Sequence, residues 1–324
     1  MNEEIKNKTE ETFNLENLSE VYRKIGNYPE ALEYGQKGLN LALEIDFPQR
    51  IGRILKDLGV THFELGEYQT AYEYFKKAKE VAQRIEDKEL EVLVLIALSK
   101  FLAVLNDEKS LNRLLEEVTG VINTINDERS LISSCQIRSM LARKKGQFEE
   151  ALKLLDKAYV LSKRLNLGEE VFSLTLGYAE IYLDHEEIEK SREFLDQAKN
   201  SGQAQYVLLQ PTFYLISGRI EWKSGNFKAA QKDFENALGL AEKTRNMEMT
   251  WRIHHHLGKL FLSSHNVEKA YPEFENACGI LRTLSNNIEN EELKSNYLKD
   301  QKKQELLSDL RQAAKELIGE IKMA

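Results

Sequence analysis

The chain has 324 residues, 42% hydrophobic and 30% charged, and a net charge of −8 from 45 Lys and Arg against 53 Asp and Glu. That balance argues against nucleic-acid binding driven by overall charge, while 4 Pro and 17 Gly leave room for long helices. No apolar run reaches the roughly 18 residues that cross a bilayer, and the best stretch, 92–105, is broken by Ser99 and Lys100.

The N-terminus, Met1-Asn2-Glu3-Glu4-Ile5-Lys6, is acidic and lacks the apolar core of a signal peptide. The two cysteines, Cys135 and Cys278, read as free buried thiols of a reducing compartment. A soluble cytoplasmic protein is expected. Residues 1–11 are polar and read as a flexible N-terminus.

From residue 12 to 286 the chain repeats. A small residue returns at Ala31, Ala71, Ala151, Ala230 and Ala270, with Leu111 and Ser191 holding the same place. The intervals are 40, 40, 40, 40, 39 and 40 residues. Similar words surround it, such as Gly26-Asn27-Tyr28, Gly66-Glu67-Tyr68, Gly146-Gln147-Phe148 and Gly225-Asn226-Phe227. A fixed period of this size signals a solenoid, in which each unit packs mainly on its neighbours.

Each unit reads as two helices. In the second unit, Ile51, Ile54, Leu55, Leu58 and Gly59 recur at helical spacing and form helix A. Gly66 ends that helix, because a left-handed backbone is cheap for Gly. Ala71, Tyr74, Phe75, Ala78 and Ala82 then form the apolar stripe of helix B. Gly59 and Ala71 let two antiparallel backbones approach, and the aromatic side chains fill the remaining space. The pairs Ser19/Ala31, Ser139/Ala151, Ala179/Ser191, Gly218/Ala230 and Gly258/Ala270 repeat this arrangement. The third unit departs most, with Leu111 for Ala and Asn106-Asp107 for the Gly turn, although its helix A is the most apolar.

These residues resemble the tetratricopeptide repeat: a small residue in mid-helix A, Gly-x-Tyr/Phe-x-x-Ala at the turn, then an aromatic residue and a second Ala in helix B. That second Ala is Ala78, Ala158, Ala198, Ala237 and Ala277. The family's usual period is 34, so these units are longer. They are similar to the lengthened repeats of Pins-type adaptors, kinesin light chain and bacterial regulatory arrays. The resemblance implies an all-α, right-handed α-solenoid of about seven helical hairpins, with helix A on the concave face. The clamp residues of carboxylate-binding members have no counterpart here.

Residues 287–324 lack a second-helix word. Leu306, Leu310, Ala313, Leu317 and Ile321 share one helical stripe, which fits a C-terminal capping helix, or a connector to a further domain or a second copy.

No phosphate loop, nucleophile elbow, Cys-x-x-Cys pair or His-Glu-x-x-His motif occurs. His254, His255 and His256 are consecutive, so on a helix they point about 100° apart and cannot share one metal ion. No enzyme activity, metal or cofactor is expected.

The repeat serves as a ruler for helix A. Of 35 positions taken to face the groove, eleven are Lys or Arg and five are Asp or Glu, so the groove is expected to be basic in an acidic chain. The candidate partner-binding residues are Arg53, Lys56, Phe63, Lys100, Arg143, Arg219, Trp222, Lys223, Arg252, His255 and Lys259. Such a groove attracts acidic segments, with Phe63 and Trp222 as apolar anchors.

The expected function is a non-enzymatic adaptor or scaffold that holds an acidic peptide or protein segment. The alternative is a sensor module of a larger bacterial signalling protein, coupled through its C-terminal helix. Peptide sensors of the Rap type carry an extra N-terminal bundle. About 11 residues precede the first repeat here, so that activity is not expected. Self-association through an end of the array stays open.

Overall fold

In a computed structural model, which describes residues 3–201 and 206–323, the chain divides into two compact units, 1–166 and 167–324. The first contains α1 (Glu3–Lys24), α2 (Tyr28–Glu44), α3 (Pro48–Glu64), α4 (Tyr68–Arg84), α5 (Lys88–Val104), α6 (Glu108–Ile125), α7 (Glu128–Lys144) and α8 (Phe148–Arg164). The second contains α9 (Gly168–Asp184), α10 (Ile188–Asn200), α11 (Gln210–Lys223), α12 (Phe227–Lys243), α13 (Met247–Ser263) and α14 (Val267–Asn286), then α15 (Glu291–Leu298) and α16 (Gln301–Met323). Among the described residues there is no strand, and the fold class is an all-α solenoid of helical hairpins.

The turns explain the period. Inside the seven hairpins, Gly26, Gly66, Asn106, Gly146, Glu186, Gly225 and His265 all have positive φ, between 55° and 81°. They fall at the same intervals as the repeated small residue. In each, the chain leaves helix A through a left-handed residue that lets the last carbonyls find donors. Gly66 N–H donates to Phe63 O at 3.0 Å, and Glu67 N–H donates to His62 O at 2.9 Å. Asn106 therefore takes the glycine's role in the irregular third hairpin. Asp46, Glu86, Asn126, Asn166 and Arg245, also at positive φ, make the turns between hairpins. The next helices are started by Pro48 at the head of α3 and by Asp87 and Asp107, whose carboxylates accept from Leu90 N–H and Ser110 N–H.

Close approach within a hairpin uses two devices. Where helix A has Gly, helix B sets a Phe sixteen residues later: Gly59 and Phe75, Gly218 and Phe234, Gly258 and Phe274. Where a serine is available, its hydroxyl ties the two backbones together. Ser19 Oγ donates to Ala31 O, Ser139 Oγ to Ala151 O, and Ser191 Oγ to Ala179 O, each at 2.7 Å. The repeated Ala residues are fully buried. So is most of α5, from Leu90 to Phe101, which gives the third hairpin the most apolar helix A of the chain.

Two terminal expectations change. The first eleven residues are helical from Glu3 onward and belong to α1, while Met1 and Asn2 lie outside the described residues. Thr12 is fully buried with its hydroxyl on Lys8 O, and Lys8 bridges Glu4 and Glu44 of α2. These contacts hold a polar first turn that shows no apolar stripe. The C-terminal segment holds two helices rather than one. Asn290 caps α15, and α16 packs on α14 and α13 through fully buried Leu306 and Ala313. Leu310 and Leu317 are half-buried, and the side chain of Ile321 lies outside the described residues.

Candidate partner-binding face

Helices α1, α3, α5 and α7 in the first unit, and α9, α11 and α13 in the second, are the A helices. Their polar side chains reach across to the neighbouring A helix or to the turn that ends it. In the first unit Arg23 of α1 donates to Glu64 of α3 at 2.8 Å, and Arg50 of α3 pairs with Glu16 of α1 while lying over the Phe13 ring. Arg53 of α3 approaches Glu89 of α5 at 3.8 Å, and Lys144 of α7 reaches Asn106 at 3.1 Å. In the second unit Arg219 of α11 donates to Asp184 of α9 at 2.6 Å and approaches Glu180 at 3.9 Å. Trp222 Nε1–H donates to Ser263 Oγ of α13 at 3.1 Å, and Lys223 nears Glu186 at 3.6 Å.

These pairs place the candidate residues. Arg53, Lys56, Arg219, Lys223 and Arg252 each have a carboxylate partner, which for Lys56 is its neighbour Asp57 at 2.6 Å and for Arg252 is Glu248 at 3.8 Å. Phe63 packs edge-on against Phe101 and beside Tyr68. Lys100 and Lys144 are exposed, and Arg143 and Lys259 are half-buried. The basic excess counted along the register is therefore offset by acids outside that count: Glu89, Asp57, Glu186 and Glu248. Burial raises the Glu64 carboxyl above its ordinary range, against the pull of Arg23. Glu16 is raised by burial in the same way, against Arg50.

The three consecutive histidines diverge. His254 Nδ1 lies 2.6 Å from Glu273 of α14, His255 Nε2 lies 2.8 Å from Asp309 of α16, and His256 stacks on Phe234 of α12. Among the described residues no group of His, Cys, Asp and Glu could hold a metal ion. Burial, then Arg219, His255, Lys302 and Lys259, hold the His256 imidazole well below its usual pKa.

His256 belongs to a feature that register counting missed. A pocket of about 30 Å³ opens between α9, α11, α13 and the start of α16. Arg219, Arg252 and Lys302 line it beside Glu180, Trp251 and His256. Lys302 has no repeat equivalent, so the 40-residue ruler could not reach it.

Residues 10–84 and 211–244 each match a family model of the tetratricopeptide repeat. Those two stretches are tetratricopeptide repeats, and the other hairpins repeat their helix–turn–helix architecture. Of the curated proteins, human protein O-mannosyl-transferase TMTC1 is 22% identical over 231 residues, 71% of this chain. The match spans 23% of that protein's length, about a quarter. Among solved structures, a Rap protein complexed with competence and sporulation factor has a TM-score of 0.70 at 12% identity, covering 86% of this array and 77% of that chain. A signal transduction ATPase with a tetratricopeptide repeat sensor from Pyrococcus horikoshii has a TM-score of 0.57 at 16% identity, covering 95% and 49%. The apo quorum sensor NprR from B. thuringiensis has a TM-score of 0.55 at 16% identity, covering 82% and 80%. At these identities the likeness is one of fold. Among the described residues no helix is long and apolar enough to cross a membrane.

Proposed function

We propose that the array is a non-enzymatic, cytoplasmic interaction module that holds an acidic peptide or protein segment along its A helices. One observation carries this reading. The A helices present polar and aromatic side chains at equal register, and hydrogen bonds to the next helix already fix many of them. A segment laid across them meets side chains that have little rotamer freedom left to lose. Exposed Lys100 and half-buried Arg143 and Lys259 supply positive charge at that register, and half-buried Phe63 and Trp222 supply apolar anchors. The repeat-protein neighbours whose names include a signalling factor or a quorum sensor fit such a role.

The test is affinity capture from the source lysate, read by mass spectrometry. The wild-type chain is compared with a Lys100→Glu, Arg143→Glu, Lys259→Glu variant that keeps the Arg219 ion pair. A partner lost from the variant, with helicity unchanged, supports the reading. A partner set that ignores the three reversals refutes it.

A second reading has one observation in its favour. The His255–Asp309 contact ties the A-helix face of α13 to the final helix, so occupancy of that face is linked to how α16 is held. A sensor module that signals through its C-terminal helix would use this link.

A further inference from the structure

On the B-helix side of the first unit, α2 and α4 flank an open groove of about 550 Å³, with α3 as its floor. Its lining is aliphatic: Leu39 and Leu43 of α2, Ile51 and Leu55 of α3, and Val81 of α4. Leu43 is 56% exposed. Lys77, Glu80 and Arg84 of α4 form one rim. The 40-residue period explains why this groove stays open. One hairpin later, Lys79 and Glu117 stand where Leu39 and Lys77 stand here, and their ion pair at 2.8 Å joins α4 to α6. One hairpin further, Arg138 of α7 donates to Leu115 O at 2.8 Å and to Thr119 Oγ1 at 3.1 Å, both on α6, and Thr119 holds the place of Leu39. The first groove has neither closure. Leu39 offers Lys77 no charge, and Leu58, which holds the place of Arg138, is drawn over Gly35, its Cδ2 2.7 Å from where a Cβ would stand. Exposed Gln83 and Asn123 hold the place of Leu43, so the later grooves turn an amide to water where this one turns a leucine.

The rim adds charge to this apolar floor. Lys77 and Arg84 are exposed and seven residues apart, about 10 Å along α4, with Glu80 between them. Among the described residues none of the three makes an ion pair, and the Lys77 ammonium has the Tyr74 ring at 5.8 Å. A volume of about 550 Å³ lies within the roughly 300–1,000 Å³ of small-molecule sites, and an apolar lining with a few polar groups is their usual make-up. An aliphatic chain laid in the groove takes its own surface and that of the floor out of water. A carboxylate at the end of that chain gains a charge-assisted hydrogen bond from Lys77 or Arg84. A cationic end would face two like charges and one acid.

We propose that this groove binds a free amphiphile, a single aliphatic chain ending in a carboxylate. The chain lies on Leu39, Leu43 and Leu55, and its carboxylate sits at Lys77 or Arg84. The site uses none of the residues assigned above to the partner-binding face, so it adds a small ligand to the array and does not rest on that reading.

The full chain is titrated with decanoate below its critical micelle concentration, with octanoate, with acetate and with decyltrimethylammonium. The readout is the methyl NMR resonances of Leu39, Leu43, Leu55 and Val81. Decanoate should move these resonances saturably. Octanoate, two methylenes shorter, should bind about tenfold more weakly, and acetate should leave the methyls in place. Decyltrimethylammonium should bind at least about tenfold more weakly than decanoate. A Leu39→Lys, Lys77→Glu double variant transplants the Lys79–Glu117 pair into the groove, and should weaken decanoate at least about tenfold. Leu43→Gln places the residue of the next groove at an exposed position. It should weaken decanoate in the same direction, and it keeps the test valid should the double variant fold poorly. Groove methyls that no probe moves, decanoate binding that ignores both variants, or equal affinity for the two head groups would each overturn the proposal. A response confined to phosphatidylglycerol vesicles run in parallel would also overturn it, and would assign the groove to a membrane surface.

Discussion

A Cβ built on Gly218 of α11 would lie 2.5 Å from Cδ1 and Cε1 of Phe234 in α12, and 3.2 Å from the Ala230 carbonyl oxygen. The fully buried Phe234 ring thus lies directly over the glycine, and the same pairing recurs at Gly59 with Phe75 and Gly258 with Phe274. Where the A helix has Ser or Ala, the B helix has something smaller at the same place: Gly35 opposite Ser19, Leu115 opposite Ser99, Leu155 opposite Ser139 and Leu195 opposite Ala179. Volume is roughly conserved across every hairpin but the first, where Leu58 of α3 reaches over Gly35 and fills the space instead. Gly218→Ala is therefore expected to destabilise the second unit by about 1–3 kcal/mol, as overpacked cores do. Chemical denaturation with Gly218→Ala, Phe234→Leu double mutants checks the cause: the double mutant should recover part of the loss.

Gly225 provides the opposite case. No atom lies within 4 Å of a Cβ added there, but its φ is +81°. Gly225→Ala should still cost about 1–2 kcal/mol through left-handed strain alone. Glu186 occupies the equivalent turn at φ +65° with a Cβ in place. Glu186→Gly should consequently stabilise the chain, by up to about 1 kcal/mol once the added chain entropy of Gly is counted. Thermal denaturation of both variants would show opposite shifts, and a pair of shifts with the same sign would refute the turn argument.

The hairpins were legible in the sequence because turn chemistry and core packing both recur every 40 residues, so each unit corroborates the next. The Asn106 turn was the exception in composition but not in backbone, since Asn tolerates left-handed φ nearly as Gly does. The start of α1 was not legible, because residues 3–11 show no apolar stripe and depend on Lys8 reaching Glu44 in another helix. The charge of the A-helix face was legible only in part. Counting along a register finds the cations, but their acids, Glu89, Glu186 and Glu248, stand at other registers. The small pocket depends on Lys302, which comes from a helix outside the repeat.

His256 predicts a pH response. Its imidazole faces Arg219 from α11, His255 and Lys259 from its own helix, and Lys302 from α16, with Glu180 of α9 across the pocket and the Phe234 ring of α12 stacked on it. Burial and these cations lower its folded pKa below the ordinary 6.5. The unfolded chain thus binds a proton in a window where the folded chain does not. Stability is unaffected by this group above pH 6.5, and falls as the pH drops from 6.5 toward the folded pKa. The slope approaches about 1.4 kcal/mol per pH unit at full effect. His256→Phe, which keeps an aromatic ring against Phe234, should flatten that part of the stability profile. An unchanged acid slope in the variant would mean that His256 does not carry it.

The last prediction concerns the end of the array. A terminal repeat exposes the apolar side of its last helix unless something covers it, and α16 supplies that cover with Leu306 and Ala313 fully buried against the α13–α14 hairpin. Lys303 adds to the seal by lying 3.6 Å from the Tyr297 ring centroid, with Trp251 beyond it. Leu306→Ala should cost about 2–5 kcal/mol, the usual range for emptying a buried leucine site. Because repeat arrays open locally, the loss should concentrate in the nearest helices. Native-state hydrogen exchange should then show faster exchange in α13, α14 and α16, while α1 to α4 keep their wild-type protection. Uniform acceleration along the whole chain would show instead that the array unfolds as one cooperative body and that α16 is part of its common core.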